Sequence, residues 1–531
     1  MNSATNINAP SGDSPVARFH SWGLLAAALA YALLRIALVP AAADQTNAFS
    51  HDSAYISIVA DQVRAGNGLV NPAHWLVFIQ PEKLPEPFHN ANPGYLLAAA
   101  GVGNALSWSS ARSGLLISTL SSTLLLMGVF SLLRQFTKDW RWPALAAILV
   151  TLFPANFADS LCIVPDALST ALCVWAIAVA VRKPASTWTL VLAGALLGAA
   201  WLVRSSGATF VWPALLWWMF RSYPLGKCLR HAAAALIAFL VVISPWLVYT
   251  YRVWGSPLRS DSGYALLQSY SAYHRGITIA QFFRSLDPPP SLGAILRSEP
   301  LAFVSYYVHQ IPVLAYDFLA TASSWSKPFA LLLVCVLAIA AIASRRYWRT
   351  PELQSSAVLV FSTFAVLNVR AATFEVRYLG PAIVLLVILA LMPVRELFVA
   401  NAPSRERILG AAALLFTILA CLQDVSLFRR FTATSEENFE LRRDFNAVTQ
   451  EFAGPILADT PYFFTYFTGR SALTPPLASQ QELVGYMNRY GARYLALPTA
   501  RVSGFYDVDI LAPAIRSIKQ VGTLTVFERL P

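Results

Sequence analysis

Charge is what this chain has least of. Asp, Glu, Lys and Arg make up 13% of its 531 residues, against 56% hydrophobic residues. Soluble domains carry about 25% charged residues, so a string of soluble domains is excluded and a membrane class follows. Cysteine is scarce too. The five (Cys162, Cys173, Cys228, Cys335 and Cys421) lie in or beside apolar runs, and none forms a CxxC. Cys162 and Cys173 could share a helix face, but a helix of that length holds them roughly 16 Å apart. That pattern argues against a disulfide framework or a cysteine metal site. The chain also lacks an internal repeat, a low-complexity tract and a glycine-rich phosphate loop, which argues against an ATP-driven machine within it.

What the chain has is apolar runs, many of them long enough as helices to cross about 30 Å of hydrocarbon. Lipid leaves an open backbone unsatisfied, so these runs are expected as helices. Eleven spans are expected, at 21–43, 112–134, 142–158, 165–182, 188–204, 206–221, 230–250, 326–344, 353–370, 378–394 and 406–424. The run before Ala41-Ala42-Ala43, which imitates a signal-peptidase site, is long for a signal peptide and contains Arg35. An uncleaved first helix is therefore expected. With the N-terminus in the cytoplasm, the cytoplasmic joints hold Arg134, Lys138 and Arg141; Arg182 and Lys183; Arg221, Lys227 and Arg230; Arg345, Arg346 and Arg349; and Arg395, Arg405 and Arg407. Every joint is basic, as the positive-inside rule demands. The net charge of +11 belongs to these joints and not to nucleic-acid binding, since the tail 425–531 nearly balances eleven Lys and Arg against ten Asp and Glu.

The expected architecture is an all-α polytopic membrane module, 1–424, followed by a small α/β domain, 425–531, outside the membrane. Two long outer loops result, 44–111 and 251–325. Segments 93–108 and 300–325 read as helices lying at the interface, and Trp254, Tyr264, Tyr270, Tyr273, Tyr306 and Tyr307 as headgroup-level aromatics. In the tail, 454–459, 492–498 and 522–528 read as strands and 479–490 as a helix.

This topology gathers the polar residues on the outer side. His51, Asp52 and Tyr55 follow span one, and His89 and Asn90 sit late in the first loop. Asp159 and Asp166 lie between spans three and four, and Arg204 ends span five. Glu375, Arg377 and Tyr378 precede span ten. Arginine grips phosphate oxygens bidentately, and a carboxylate can deprotonate an attacking hydroxyl. The set suits a reaction with an anionic lipid phosphate.

The pattern resembles the GT-C superfamily of membrane glycosyltransferases, the group of protein O-mannosyltransferases and lipid A aminoarabinose transferases. The resemblance is carried by Asp52 to Gly66 (DSAYISIVADQVRAG), Asn92-Pro93-Gly94-Tyr95, Ala111-Arg112, Pro165-Asp166-Ala167-Leu168, Gly194 to Arg204 (GALLGAAWLVR) and Arg377-Tyr378-Leu379-Gly380-Pro381. It implies transfer of a sugar from a polyprenyl-phosphate donor, undecaprenyl or similar, to a glycan, lipid or protein acceptor at the outer face. It also implies inversion, with Asp52 as general base. Arg204, Arg377 and Tyr378 would bind the donor phosphate. Asp166, Asp159, His51, Tyr55, His89 and Glu375 would touch the substrates. Several relatives carry two adjacent acids where this chain has His51 before Asp52, so no metal and no cofactor are expected. A bacterial inner membrane, a periplasmic active site and a monomer are the remaining expectations.

Each assignment has a structural alternative. Asp52 could cap the following helix, Asp166 could sit on a helix dipole, and Arg204 and Arg377 could snorkel. Arg35 could pair inside the bundle. The runner-up reading is a transporter or flippase of lipid-linked sugars, which should show mid-bilayer polar residues and paired repeats; a catalytically dead scaffold is the third. The topology is tested with a cysteine at Ser471: a membrane-impermeant reagent should label it from the outer side, and labelling from the cytoplasm alone overturns the arrangement.

Overall fold

The computed structural model describes residues 49–325, 351–367, 380–385, 436–499 and 515–530 with brief gaps, and a few isolated positions between 418 and 433. Four expected spans, 21–43, 326–344, 378–394 and 406–424, lie wholly or largely outside the described residues, as do Arg35 and Asn90.

The first outer loop opens with helix α1, His51–Arg64, followed by the two-residue strands β1 (Val70–Asn71), β2 (Ala73–His74) and β3 (Glu86–Pro87). Helix α2, Gly94–Leu106, fills the segment expected at the interface. The bundle continues with α3 (Ser110–Arg134), α4 (Arg141–Thr151), α5 (Pro154–Asp159), α6 (Asp166–Ala180), α7 (Thr187–Val203), α8 (Ser205–Ser222) and α9 (Leu225–Trp254). Within the expected span 142–158 the described residues form α4 and α5, and the Asn156 side-chain amide donates to the Val150 carbonyl at 2.8 Å. Among the described residues, α3 and α9 are long and apolar enough to cross a membrane by length and composition. Most of α9 faces outward through Leu229, Leu236, Ile237, Leu240, Val241 and Val248, as a lipid-exposed helix should.

Several hydroxyls inside the bundle are satisfied by carbonyls. Ser121 Oγ donates to Ile117 O one turn back, at 2.7 Å. Ser118 and Thr119 reach across to Val164 O and Ser160 O, at 3.2 and 3.1 Å. These two bonds pin the 160–165 turn against α3. Helix α7 packs between α6 and α9 through small residues. A Cβ on Gly194 would come within 2.0 Å of Ala235 O, and one on Gly198 within 3.0 Å of Phe239 O. Close backbone approach through small residues is how membrane helices associate, since lipid offers no hydrophobic drive between them.

The second outer loop contains α10 (Ser262–Arg275), α11 (Ile279–Arg284), α12 (Leu292–Ser298) and α13 (Pro300–Trp325), and α14 (Pro351–Leu367) follows. The tail builds α15 (Glu436–Glu451), β4 (Ile456–Ala458), α16 (Pro461–Thr468), β5 (Ala472–Leu473), α17 (Gln480–Arg489), β6 (Tyr494–Pro498), β7 (Ile515–Val521) and β8 (Leu524–Arg529). Its sheet runs β2-β5-β4-β6-β8-β7. The pairs from β2 to β6 are parallel, and β6, β8 and β7 are antiparallel. Arg470 donates to three carbonyls left open where α15 ends, those of Thr449, Phe452 and Gly454, at 3.1, 2.6 and 2.7 Å. One edge strand, β2, comes from the first outer loop: Ala73 faces Ala472 and His74 faces Leu473. The sheet is therefore shared between loop one and the tail.

The glycine contacts make opposite predictions for one substitution. Gly194→Ala should lower the thermal midpoint in detergent, with overpacking costing about 1–3 kcal/mol. Gly101→Ala in α2, where an added Cβ meets nothing within 4 Å, should raise it, because alanine gains up to about 1 kcal/mol in a helix.

Candidate active site

Asp52 stands in the first turn of α1. The cap of that helix is Ser50, whose side chain accepts from the Ser53 amide at 3.3 Å. Capping is thus assigned to another residue, and the half-buried Asp52 carboxylate occupies the positive end of the helix dipole. Ser53 Oγ donates to Ile163 O at 3.3 Å, which ties the base of α1 to the turn that leads into Asp166.

His51 is enclosed by rings. Tyr462 lies 4.5 Å away, Trp75 5.0 Å away edge-on, and Phe463 6.5 Å away. Burial lowers its pKa to about 4, against the pull of the nearby Asp52 and Asp459 carboxylates. His51 is neutral at physiological pH. Tyr55, one turn on, is buried between Phe88 at 5.8 Å and Tyr462 at 5.0 Å. The tail therefore forms one wall of the His51–Asp52 site.

Asp459, at the end of β4, is ion-paired with Arg284 at the end of α11, and both side chains are nearly buried. A second buried charged group bonds to His74, the residue before Trp75. Glu86 is fully buried and accepts from His74 Nδ1 at 2.8 Å and from His89 Nε2 at 3.2 Å. His74 Nε2 lies 2.7 Å from Leu76 O. Both nitrogens of His74 face acceptors, so both carry protons and the ring is an imidazolium. Burial works against both charges, and their mutual attraction overrides it, raising the His74 pKa and holding that of Glu86 near 2. His89 also meets Trp254 edge-on at 4.5 Å.

Asp166 and Arg204 come together: Arg204 Nη1 donates to Asp166 Oδ2 at 2.6 Å, with Asp166 buried. The pair replaces the snorkelling alternative for Arg204. Asp159 is buried at the end of α5, beyond the turn that Ser53 touches. Glu375, Arg377 and Tyr378 lie outside the described residues. Gly380 and Pro381, which close their motif, pack at α6 and α8: a Cβ on Gly380 would meet Thr170, and one on Gly207 would meet Pro381 at 3.8 Å. Among the described residues, no three His, Cys, Asp or Glu side chains form a group that could hold a metal ion.

Sequence reasoning missed His74, Trp75, Glu86, Arg284, Asp459 and Tyr462. One signal was present. Three of the seven histidines fall between residues 51 and 89, in a loop otherwise rich in apolar residues.

The Glu86–His74 pair predicts a pH signature. Glu86 is depressed, so its contribution is complete above the ordinary value of 4.5 and lost as pH falls towards 2. His74 is raised, so its contribution is complete below 6.5 and lost as pH rises through its folded pKa. Glu86→Gln should cost about 3–5 kcal/mol by stranding a buried cation. The gap in thermal midpoint between wild type and variant should be widest between those two ordinary values and shrink on either side. A gap constant with pH would mean that the pair is not ionised.

A model of the dolichyl-phosphate-mannose-protein mannosyltransferase family matches residues 93–249. The sequence finds no significant match among curated proteins. Its structure resembles that of ArnT from Cupriavidus metallidurans bound to undecaprenyl phosphate, at 13% identity and a TM-score of 0.55, over 97% of this chain and 98% of that one. It also resembles the oligosaccharyltransferase AglB from Archaeoglobus fulgidus in complex with an inhibitory peptide and a dolichol-phosphate, at 13% identity and a TM-score of 0.60, over 95% and 74%. A third likeness is to the mycobacterial arabinofuranosyltransferase AftD, at 13% identity and a TM-score of 0.54, over 98% and 40%. The chain thus shares the fold of these polytopic membrane glycosyltransferases, and the mannosyltransferase family model matches the segment 93–249 within that fold.

Proposed function

We propose that the chain transfers a sugar from a polyprenyl-phosphate donor to an acceptor at the outer face of the membrane, with inversion and with Asp52 as general base. The observation that carries this reading is the division of labour at the start of α1. Ser50 does the capping, and Asp52 stands beside a neutral imidazole at a junction of both outer loops and the tail. Two of the similar structures hold polyprenyl phosphates, undecaprenyl phosphate in one and dolichol-phosphate in the other, which supports a lipid-linked donor.

In the proposed step an acceptor hydroxyl oxygen attacks the anomeric carbon while the Asp52 carboxylate takes its proton. The new carbon–oxygen bond forms as the bond from the anomeric carbon to the phosphate oxygen breaks, and polyprenyl phosphate leaves with the electron pair. Arginines stabilise such a leaving phosphate, the role proposed for Arg204 and Arg377, with Tyr378 as a hydrogen-bond donor. Asp166 orients Arg204 through their ion pair. His51, Tyr55, Asp159, His89 and Glu375 keep their proposed places near the substrates, His51 and Tyr55 as part of an aromatic wall. The site and the tail are proposed to face the periplasm of a bacterial inner membrane.

Asp52→Asn should leave the protein folded and monodisperse while sugar transfer from an undecaprenyl-phosphate donor falls by roughly 100- to 10,000-fold, the usual contribution of a general base. Wild-type turnover by that variant would refute the assignment.

A further inference from the structure

We propose that His74, held by Glu86, is a positioning residue that fixes Trp75 against His51 and thereby sets the placement of Asp52. This rests on the reading of Asp52 as the base. The geometry spans three segments. His74 bonds to Glu86 through one ring nitrogen and to Leu76 O through the other, so the ring bridges over Trp75 and holds both of its chain neighbours. The backbone of His74 is held as well: its carbonyl accepts from the Thr474 amide at 2.9 Å, and it pairs with Leu473 in the shared sheet. Trp75 then stands between His51, at 5.0 Å, and Phe283, at 4.4 Å. Phe283 adjoins Arg284, which pairs with Asp459.

The arrangement requires a proton on each nitrogen of His74. Removing one would set a lone pair against a fixed acceptor, either the Glu86 carboxylate or the Leu76 carbonyl. The ring would have to turn, and the bridge over Trp75 would open. The groups facing this unit are few. Glu86 comes from β3 and His89 from the turn after it. Tyr490, following α17, lies within reach of the Glu86 charge, and its hydroxyl donates to Pro81 O at 2.8 Å. Tyr490 is held above the ordinary phenol value, pushed up to about 12 by burial, so it stays neutral where His74 loses its proton.

The test uses the full-length protein grown with 5-fluorotryptophan. Its fifteen tryptophans give a countable set of fluorine resonances, and Trp75→Phe assigns the one that matters. In wild type, the Trp75 resonance should step with pH at a midpoint above the ordinary histidine value of 6.5. In Glu86→Gln the midpoint should fall by roughly one to three pH units, the effect of removing a close opposite charge. With an undecaprenyl-phosphate sugar as substrate, kcat should drop at the same midpoint while KM stays within about twofold, the pattern of an interaction that matters after binding. A Trp75 resonance that does not step, or a kcat that is flat across the step, overturns the proposal. Should Glu86→Gln not fold, the wild-type titration alone decides. Asp52→Asn with full turnover would remove the reading of Asp52 as base and leave the Trp75 titration unchanged, so the two failures are distinct.

Discussion

Glu86 has no access to water, and a lone carboxylate in such a place costs several kcal/mol. Its charge is tolerable because His74 and His89 both bond to it. The three side chains come from a stretch with almost no regular structure, which has little else to hold it. Once His74 is fixed, the short strand β2 can join the tail sheet, and the sheet can bring Tyr462 against His51. The meeting of loop one, loop two and the tail around Asp52 depends on that buried charge being answered.

The helices were legible because each is a long apolar run and because lipid forces such runs into helices. The ends of α3, α6, α7, α8 and α9 fall within a few residues of the expected spans. Strands β4, β6 and β8 were legible from short apolar or alternating stretches bounded by turn residues. Strand β2 was not, because two residues have no period. The tail's place against His51 was not legible either, since Asp459 and Tyr462 lie about four hundred residues from it and nothing local announces the contact. The start of α1 was ambiguous for a different reason. Ser50 and Asp52 are both good caps, and only the hydrogen bond to the Ser53 amide decides between them.

Arg204 shows how a local reading can miss a long-range partner. As the last residue of an apolar run it could have reached for the headgroups. It instead closes on Asp166, thirty-eight residues earlier, at the head of α6. An arginine already paired is oriented, and an oriented guanidinium loses less freedom when a second anion arrives. The pair stands at the junction of α6, α7 and α8, where Gly380 and Pro381 also pack.

The neutral His51 has a consequence for its neighbour. Two carboxylates, Asp52 and Asp459, already act on it. An acid in place of His51 would add a third negative charge, and like charges raise one another's pKa. On the reading of Asp52 as base, that change would shift it towards its protonated form. An imidazole that stays uncharged avoids this. Arg284, paired with Asp459, offsets the second acid and reduces its effect further. The residue before Asp52 thus shapes the electrostatics around that carboxylate through the charge it does not carry.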